Sequence, residues 1–222
     1  MNYKYLYVNG DSFSKGQDLE IIPNVKRFEI DSKYRYSSIV AKKYNLFEVN
    51  QSKSGGSNQR IMRTFFDWTE NNFDKLKETL VIIGWTVPYR YEMLTNDGWE
   101  SKNTGVGWIS PFKMDINNIK MEHLNEMYWL DLRNKIISTQ NLLKLKKVDY
   151  LFFLVHEDKV SVDLKVIQND KLIDGRKFMN LTFAEFSEDV IGEKVWGYRH
   201  PNRESHRLWA EKLVNEVKRI YK

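Results

Sequence analysis

The first residues that could carry out chemistry form the short polar segment Gly10-Asp11-Ser12, which follows a β-rich stretch at Tyr3–Asn9. A serine at the first strand-to-helix turn presents its hydroxyl beside the free N–H groups of a helix start. That placement favours an attacking alkoxide and a developing oxyanion. The tripeptide alone is a weak signal, because an ordinary capped turn has the same composition. Ser12 is therefore a candidate nucleophile that needs support from other segments.

A second polar segment, residues 50–58, follows the next predicted strand at Phe47–Asn50. Its adjacent glycines, Gly55 and Gly56, let the backbone approach a ligand closely, and exposed N–H groups in such a loop can bind an anion. A flexible connector that ends in a helix cap, at Ser57 or Asn58, is the alternative interpretation. The segment is thus a candidate for anion binding.

Two histidines lie near the start of the last predicted helix, which begins at about Glu204. His200 precedes Pro201 just ahead of this helix, so it can reach the carboxyl edge of a sheet and act as a general base. His206 lies inside the helix and is the less favoured base. A surface histidine without a catalytic role is the alternative for His200.

The order and spacing of these three segments resemble the SGNH hydrolase superfamily, also called the GDSL-type esterases and lipases, over nearly the whole chain. The resemblance implies that Ser12 is the nucleophile and that His200 is the base. It also implies that the backbone N–H groups of Ser12 and Gly55 hold the oxyanion. In that family an asparagine stands five residues before the oxyanion-hole glycine, and Asn50 and Gly55 match these two positions.

The family has a further block, between the second segment and the histidine segment, whose asparagine donates a side-chain hydrogen bond to the oxyanion. The chain departs from the family pattern at this block. Thr86 stands at that place, within a run at residues 83–92 that looks like phage-encoded members of the group. The hydroxyl of Thr86 or the amide of Asn58 could replace the missing donor. The loss of one such donor typically costs about 3–4 kcal/mol of transition-state stabilisation. The departure therefore predicts a weakened site rather than an abolished one.

A second departure concerns the carboxylate that orients the catalytic histidine in the family. Gly197 stands where the family has this aspartate, three residues before His200. An orienting carboxylate fixes the imidazole tautomer and stabilises the imidazolium. A main-chain carbonyl of Trp196 or Gly197 could take this role, and Glu193 or Asp189 could bend back towards the site. An inactive site remains the other interpretation.

Four further side chains could contact a substrate in a cleft at this edge: Arg90, Glu92, His156 and His206. The fork of Arg90 suits a carboxylate or phosphate group, and a structural ion pair involving Arg90 or Glu92 is the alternative. His156 follows a buried strand, although a surface loop or helix cap is as consistent with its position. Trp99 and Trp108 could stack on a sugar or base, or belong to a packed lid.

The elements that must position these residues alternate along the chain as strand and helix. Buried or β-rich runs of strand length are found at Tyr3–Asn9, Phe47–Asn50, Leu80–Gly84 and Tyr150–Val155, and helical periodicity at Ser37–Tyr44, Asn58–Lys77, Met121–Lys146 and from Glu204 onward. This alternation predicts an α/β fold, a three-layer α/β/α sandwich with a flavodoxin-like parallel sheet. We expect one SGNH hydrolase-like domain over residues 1–222, with a loop or lid insertion at 95–119. Residues 157–195 give no clear pattern.

Composition narrows the classes of function. The 222 residues contain no cysteine, which excludes disulfides, thiolate metal sites and a cysteine nucleophile. The four histidines lack carboxylates at ligand spacing, so neither a catalytic metal nor another cofactor is expected. No apolar run approaches the roughly 20 residues that span a bilayer. The first residues also lack a signal-peptide core, so we expect a cytoplasmic protein of a bacterium or phage-infected host.

The leading hypothesis is a serine esterase or deacylase that cleaves an acyl ester of a small molecule or glycan. Water or another hydroxyl could accept the acyl group. A catalytically inactive binding or structural protein, as in a phage, is the first alternative because of the two departures. A nucleic-acid or nucleotide-directed protein is the second, based on the net charge of +5 and the basic run at residues 144–147. Membrane association is not expected.

Overall fold

The computed structural model of the chain describes residues 3–17, 19, 32–95, 98–103, 121–157, 163–192 and 200–221. Strands β1, β2, β3 and β6 are Tyr5–Asn9, Phe47–Asn50, Thr79–Trp85 and Asp149–Leu154, and strands β4 and β5 are Arg90–Thr95 and Gly98–Asn103. The first four strands form a sheet in the order β2-β1-β3-β6, and all neighbours in it are parallel. Strands β4 and β5 form a separate antiparallel pair.

Side chains of the central strands alternate between two hydrophobic cores, one on each face of the sheet. In β1, Leu6 and Val8 enter the first core, whereas Tyr7 enters the second. This division follows from the period of two along a strand. The same alternation places Leu80, Ile82, Leu151 and Phe153 in the first core, and Val81, Ile83, Trp85, Tyr150, Phe152 and Leu154 in the second. Because both faces are covered, the strands are almost entirely apolar.

Helices cover both faces of the sheet. They are α1 Ser12–Lys15, α2 Tyr36–Tyr44, α3 Asn58–Asn71, α4 Met121–Leu145, α5 Leu164–Asn169, α6 Phe183–Ile191 and α7 Arg203–Ile220. Residues of α2, α6 and α7 contribute to the first core, and residues of α3, α4 and α5 to the second. The predicted three-layer α/β/α sandwich is therefore confirmed. Among the helices of the described ranges, none is long and apolar enough to cross a membrane.

The region at 95–119 was expected to be a loop insertion, but its first part contains a β-strand. Residues 90–103 contain the antiparallel strands β4 and β5, and residues 104–119, with Trp108, lie outside the described residues. The dipeptide Asp97-Gly98, whose glycine is the first residue of β5, is a hairpin signal that could have identified this pair. Within residues 157–195, the structure describes α5, a 3-10 turn at Gly175–Lys177 and α6.

The parallel register brings the carboxyl ends of the four strands to one edge of the sheet. Asn9 pairs with Ile83, Val8 pairs with Asn50, and Trp85 pairs with Leu154. The segments that follow these strands therefore meet at this edge, where ligands bind in open parallel sheets. They begin with Gly10, Gln51, Thr86 and Val155.

Candidate active site

Ser12 begins the short helix α1 directly after β1, and its turn is held by the preceding residue. Asp11 is the N-cap, and its Oδ1 accepts a hydrogen bond from the N–H of Phe13 at 3.0 Å. Ser12 is only 7% exposed, and its hydroxyl and N–H have no acceptor among the residues that the structure describes. At the N1 position of a helix, an N–H without an acceptor is available to a bound anion.

Two glycines leave the space that this turn requires. A Cβ on Gly10 would press against Ser14 Oγ and would lie 2.7 Å from Ser14 Cβ and 3.1 Å from the carbonyl oxygen of Gly84. A Cβ on Gly84 would lie 2.9 Å from Ser14 Oγ and 2.6 Å from the ring of Phe153. Ser14 itself is fully buried and accepts a hydrogen bond from the hydroxyl of Tyr36 at 2.9 Å. The turn therefore packs tightly against β3.

Gly10→Ala is expected to lower stability by about 1–3 kcal/mol, because the added methyl group overpacks the site and displaces Ser14. A thermal melt measures the loss. The double variant Gly10→Ala/Ser14→Gly should recover part of it, since the colliding atoms are then gone. Gly175→Ala is the matched control, because its Cβ would come no closer than 3.6 Å to its nearest neighbour, the carbonyl oxygen of Gln168. Equal melting temperatures for Gly10→Ala and Gly175→Ala would contradict the prediction.

The second polar segment lies against the Ser12 turn. The N–H of Lys53 donates to the carbonyl oxygen of Gly10 at 3.2 Å. A Cβ on buried Gly56 would lie 3.3 Å from that same oxygen. Gly55 is exposed and adopts a left-handed φ of 69°, and its N–H donates to no residue in the described part of the chain. The sequence-predicted donors at Ser12 and Gly55 are thus brought to the same edge, and both N–H groups are open.

Asn50 fastens this segment to α1 and α2. Its Nδ2 donates to the carbonyl oxygen of Ser14 at 3.1 Å and to Ser37 Oγ at 3.0 Å, and its Oδ1 accepts from the N–H of Ser52 at 2.9 Å. Both hydrogens of the amide nitrogen and the amide oxygen of Asn50 thus have partners within the fold. Asn50 therefore sets the path of the loop towards Gly55.

His200 and His156 both reach the phenyl ring that follows Ser12 in sequence. The ring centroid of Phe13 lies 5.5 Å from that of His200 and 4.3 Å from that of His156. No hydrogen bond joins Ser12 Oγ to His200, a catalytic contact that often forms only when substrate is bound. Asp189, one of the expected orienting groups, is exposed on α6; Glu193, Trp196 and Gly197 lie outside the described residues. His200 is half-buried at the same edge as Ser12.

The two side chains expected to complete the oxyanion hole are engaged elsewhere. Asn58 is buried; its Oδ1 accepts from the N–H of Thr86 at 2.9 Å, and its Nδ2 donates to the carbonyl oxygens of Thr86 and Val87 at 2.9 and 3.5 Å. The hydroxyl of Thr86 donates to Asp11 Oδ2 at 2.8 Å. A hydroxyl has one hydrogen, so in this arrangement Thr86 has none for a substrate. The structure thus assigns both side chains to holding the Ser12 turn against the end of β3.

Arg90 forms a buried ion pair with the residue that precedes the candidate nucleophile. Its Nη1 donates to Asp11 Oδ2 at 2.8 Å and to Thr86 Oγ1 at 2.9 Å. The side chain of Asp11 is completely buried. The sequence interpretation left a structural ion pair open for Arg90 but did not identify Asp11 as its partner. These two residues are 79 positions apart, and no local signal connects them.

Glu92 is held in a second ion pair rather than open to a cleft. Its side chain is 2% exposed and accepts two hydrogen bonds from Arg63, from Nε and Nη2, each at 2.8 Å. The guanidinium of Arg63 also lies over the ring of Trp99, 4.8 Å from its centroid. Arg63 therefore ties α3 to the β4–β5 pair, and Glu92 serves this packing instead of the expected substrate contact.

His206 is placed in the core and not in the cleft. It is completely buried, its Nδ1 accepts a hydrogen bond from the N–H of Tyr36 at 3.0 Å, and its ring stacks on that of Tyr36. Burial lowers the pKa of His206 to about 3, and the nearby His200 and Arg35 act in the same direction. A neutral, enclosed imidazole of this kind supports packing of α7 on α2, and a substrate does not reach it.

Burial also keeps His156 neutral. Its pKa is lowered to about 4, chiefly by burial; Asp11 opposes this shift, while Arg90 and His200 reinforce it. The charges of the Asp11–Arg90 pair therefore act on His156, whose ring packs against that of Phe13. Across the described ranges, no three side chains among His, Asp and Glu are grouped closely enough to hold a metal ion.

Comparison with known proteins agrees with this architecture. Residues 18–222, which begin after the Ser12 turn, match the family of unknown function DUF6071. No curated protein matches the chain significantly. Among solved structures, TesA is similar with a TM-score of 0.56 and 15% identity, over 97% of this chain and 98% of TesA. A member of the lipolytic protein G-D-S-L family from Veillonella parvula has a TM-score of 0.50 and 16% identity, over 96% and 97% of the two chains.

A third similar structure is the psychrotrophic esterase EstA from Pseudoalteromonas sp., inhibited by monoethylphosphonate. It has a TM-score of 0.52 and 12% identity, with 97% of each chain covered. At identities this low, the structural similarity shows the fold alone. The reaction must be argued from the site. The chain belongs to the family of unknown function DUF6071, and it has the fold of the SGNH, or GDSL-type, esterases.

Proposed function

We propose that the chain is a serine ester hydrolase or acyltransferase with Ser12 as nucleophile and His200 as general base. The observation that carries the proposal is the arrangement around Ser12. The open N–H groups of Ser12 and Gly55 belong to two loops joined through Gly10, and His200 contacts the adjacent Phe13 ring. Such an arrangement suits the attack of a hydroxyl on an ester carbonyl.

The proposed reaction passes through an acyl-serine. Ser12 Oγ forms a bond to the acyl carbon while its proton moves to His200, and the N–H groups of Ser12 and Gly55 stabilise the oxyanion. Collapse of the tetrahedral intermediate breaks the bond to the leaving alcohol, which takes the proton from His200. Water, or a second hydroxyl, then attacks the acyl-serine by the same route and releases the acyl group.

The side chains of Asn58 and Thr86 are engaged in hydrogen bonds within the fold. This supports a slow enzyme whose oxyanion hole has two backbone donors. The loss of one oxyanion donor typically lowers kcat by about 10²–10³-fold. An activated ester with a good leaving group, or an acyl group on a small molecule or glycan, is therefore the substrate class to test first. Solved proteins with this fold include an esterase, EstA, which makes esters the first class to screen.

Covalent labelling by a fluorophosphonate probe tests the proposal, because only an activated serine reacts quickly. The wild-type protein should be labelled, and Ser12→Ala and His200→Ala should each abolish labelling while retaining the fold. Ser138→Ala removes an exposed serine from α4 and should be labelled like the wild type. Absence of labelling on well-folded wild-type protein, or labelling that survives in Ser12→Ala, would overturn the assignment.

A second candidate function is binding without hydrolysis. It is favoured by the same observation that both expected side-chain donors, Asn58 and Thr86, serve the fold. In that case the site around Ser12 would hold an ester or its alcohol without cleaving it. A thermal melt of the unlabelled wild-type protein tests this alternative. If neither an ester nor its product alcohol changes the Tm, the result would argue against binding.

A further inference from the structure

A buried negative charge lies directly behind the candidate nucleophile. The carboxylate of Asp11 is completely enclosed and accepts three hydrogen bonds, from the N–H of Phe13, the hydroxyl of Thr86 and Nη1 of Arg90. An enclosed charge without a counter-ion is strongly destabilising. It would also oppose the build-up of a second negative charge at the N–H of the next residue, Ser12.

Arg90 meets this charge from a specific place in the fold. It is the first residue of β4, four residues after Thr86, where the chain leaves the central sheet. A single nitrogen, Nη1, bridges Asp11 Oδ2 and Thr86 Oγ1, and the side chain is 18% exposed. The guanidinium thus neutralises the carboxylate and joins the turn after β1, the residue after β3 and the start of β4.

We propose that Arg90 is a positioning residue that acts through Asp11: it keeps the Ser12 turn electrically neutral and fixes the direction of the Ser12 N–H. This inference rests on the proposed function where Ser12 reactivity is concerned. The neutralisation of Asp11 is a property of the fold, and it can be measured without any reaction. Arg90 does not contact substrate in this role, which corresponds to the structural ion pair that the sequence left open beside a substrate contact.

His156 provides the readout that a merely structural role would not change. Among the described residues, the charged and titratable groups that shift its pKa include Asp11, Arg90 and His200. Removing the positive charge of Arg90 leaves the opposing effect of Asp11 unbalanced, so the imidazole should bind a proton at higher pH. We expect Arg90→Gln to raise the pKa of His156 above its value of about 4, as followed by NMR. Arg90→Lys should stay near the wild type, because one nitrogen makes both bonds of Arg90.

The labelling rate of Ser12 is the second readout. Arg90→Gln should lower it by at least about 10-fold, the cost of about 1.4 kcal/mol in the transition state, and Arg90→Lys should restore most of it. The matched control is Arg63→Gln, which breaks the ion pair with buried Glu92 outside the Ser12 turn. This control should lose stability without changing either the His156 titration or the labelling rate relative to the folded fraction.

The outcomes separate the two proposals. If the wild-type protein is not labelled, the proposed function fails, and the His156 titration still decides the role of Arg90. If Arg90→Gln does not fold, Asp11→Asn/Arg90→Gln must fold, because both charges are then absent. A double variant as unstable as the single one would overturn the inference. So would an Arg90→Gln protein whose His156 titrates as in the wild type.

Discussion

Ser12→Ala and His200→Ala should each lower kcat/KM for a short activated ester, such as p-nitrophenyl acetate, by at least about 10³-fold. The reason is that the alkoxide forms only if the serine proton has an acceptor. The double variant should be no slower than either single one, because the two residues act as a unit. Steady-state hydrolysis at equal concentrations of folded protein measures the three rates.

Neither substitution should unfold the protein. The Ser12 hydroxyl makes no hydrogen bond to the described residues, and His200 is only half-buried. The melting temperature of Ser12→Ala should therefore match that of Ser138→Ala, the exposed-serine control. Effects of Ser12→Ala and His200→Ala that multiply in the double variant would mean that the residues act independently. That result would contradict the proposed proton transfer.

Acid should destabilise the protein strongly through two histidines. His206 and His156 have pKa values of about 3 and about 4 in the folded state, both chiefly because they are buried. In the unfolded chain a histidine titrates near pH 6.5, so the unfolded state binds protons that the folded state excludes. Their contribution is complete above about pH 6.5 and is lost as the pH falls towards these folded-state values. Each should cost about 3 kcal/mol of unfolding free energy by pH 4.

His206→Asn tests this prediction, because the asparagine oxygen can still accept the hydrogen bond from the N–H of Tyr36. The variant loses packing on Tyr36 and Phe183 and should be less stable at neutral pH. Urea unfolding from pH 7.5 to pH 4 should show the gap to the wild type closing by about 3 kcal/mol. His123→Asn, on the exposed surface of α4, is the control and should leave the pH dependence unchanged. Parallel curves for wild type and His206→Asn would refute the assignment.

Much of the fold could be predicted from local sequence. The strand at Phe47–Asn50 was predicted with its observed ends, and α2, α4, β3 and β6 within one residue at each end. These elements have continuous apolar runs or helical periodicity, which are properties of adjacent residues. The predicted helix from Asn58 was too long, because α3 ends at Asn71 and a 3-10 turn at Leu76–Glu78 follows. The β4–β5 pair was missed because β5 lies in a segment rich in glycine and tryptophan, which was interpreted as a loop insertion.

The sequence by itself determined which segments meet at the carboxyl edge of the sheet. Chain order and parallel pairing suffice to bring Ser12 and Gly55 to that edge, because their segments follow β1 and β2. His200 was expected there because it lies just ahead of the last helix, and it contacts the Phe13 ring. These three roles remain predictions that labelling and kinetics will test. The spacing of residues could single them out as candidates because each belongs to a short segment next to a strand end or a helix start.

Only the tertiary structure decided which polar side chains serve the fold and which remain open to a ligand. Thr86 and Arg90 meet Asp11 across 75 and 79 residues of chain, and Glu92 meets Arg63 across 29. His206 meets the backbone of Tyr36 across 170 residues. A buried polar group must find a partner wherever packing brings one, and that partner leaves no periodic trace in the sequence. The physical distinction between a site residue and a structural one therefore lies in long-range packing.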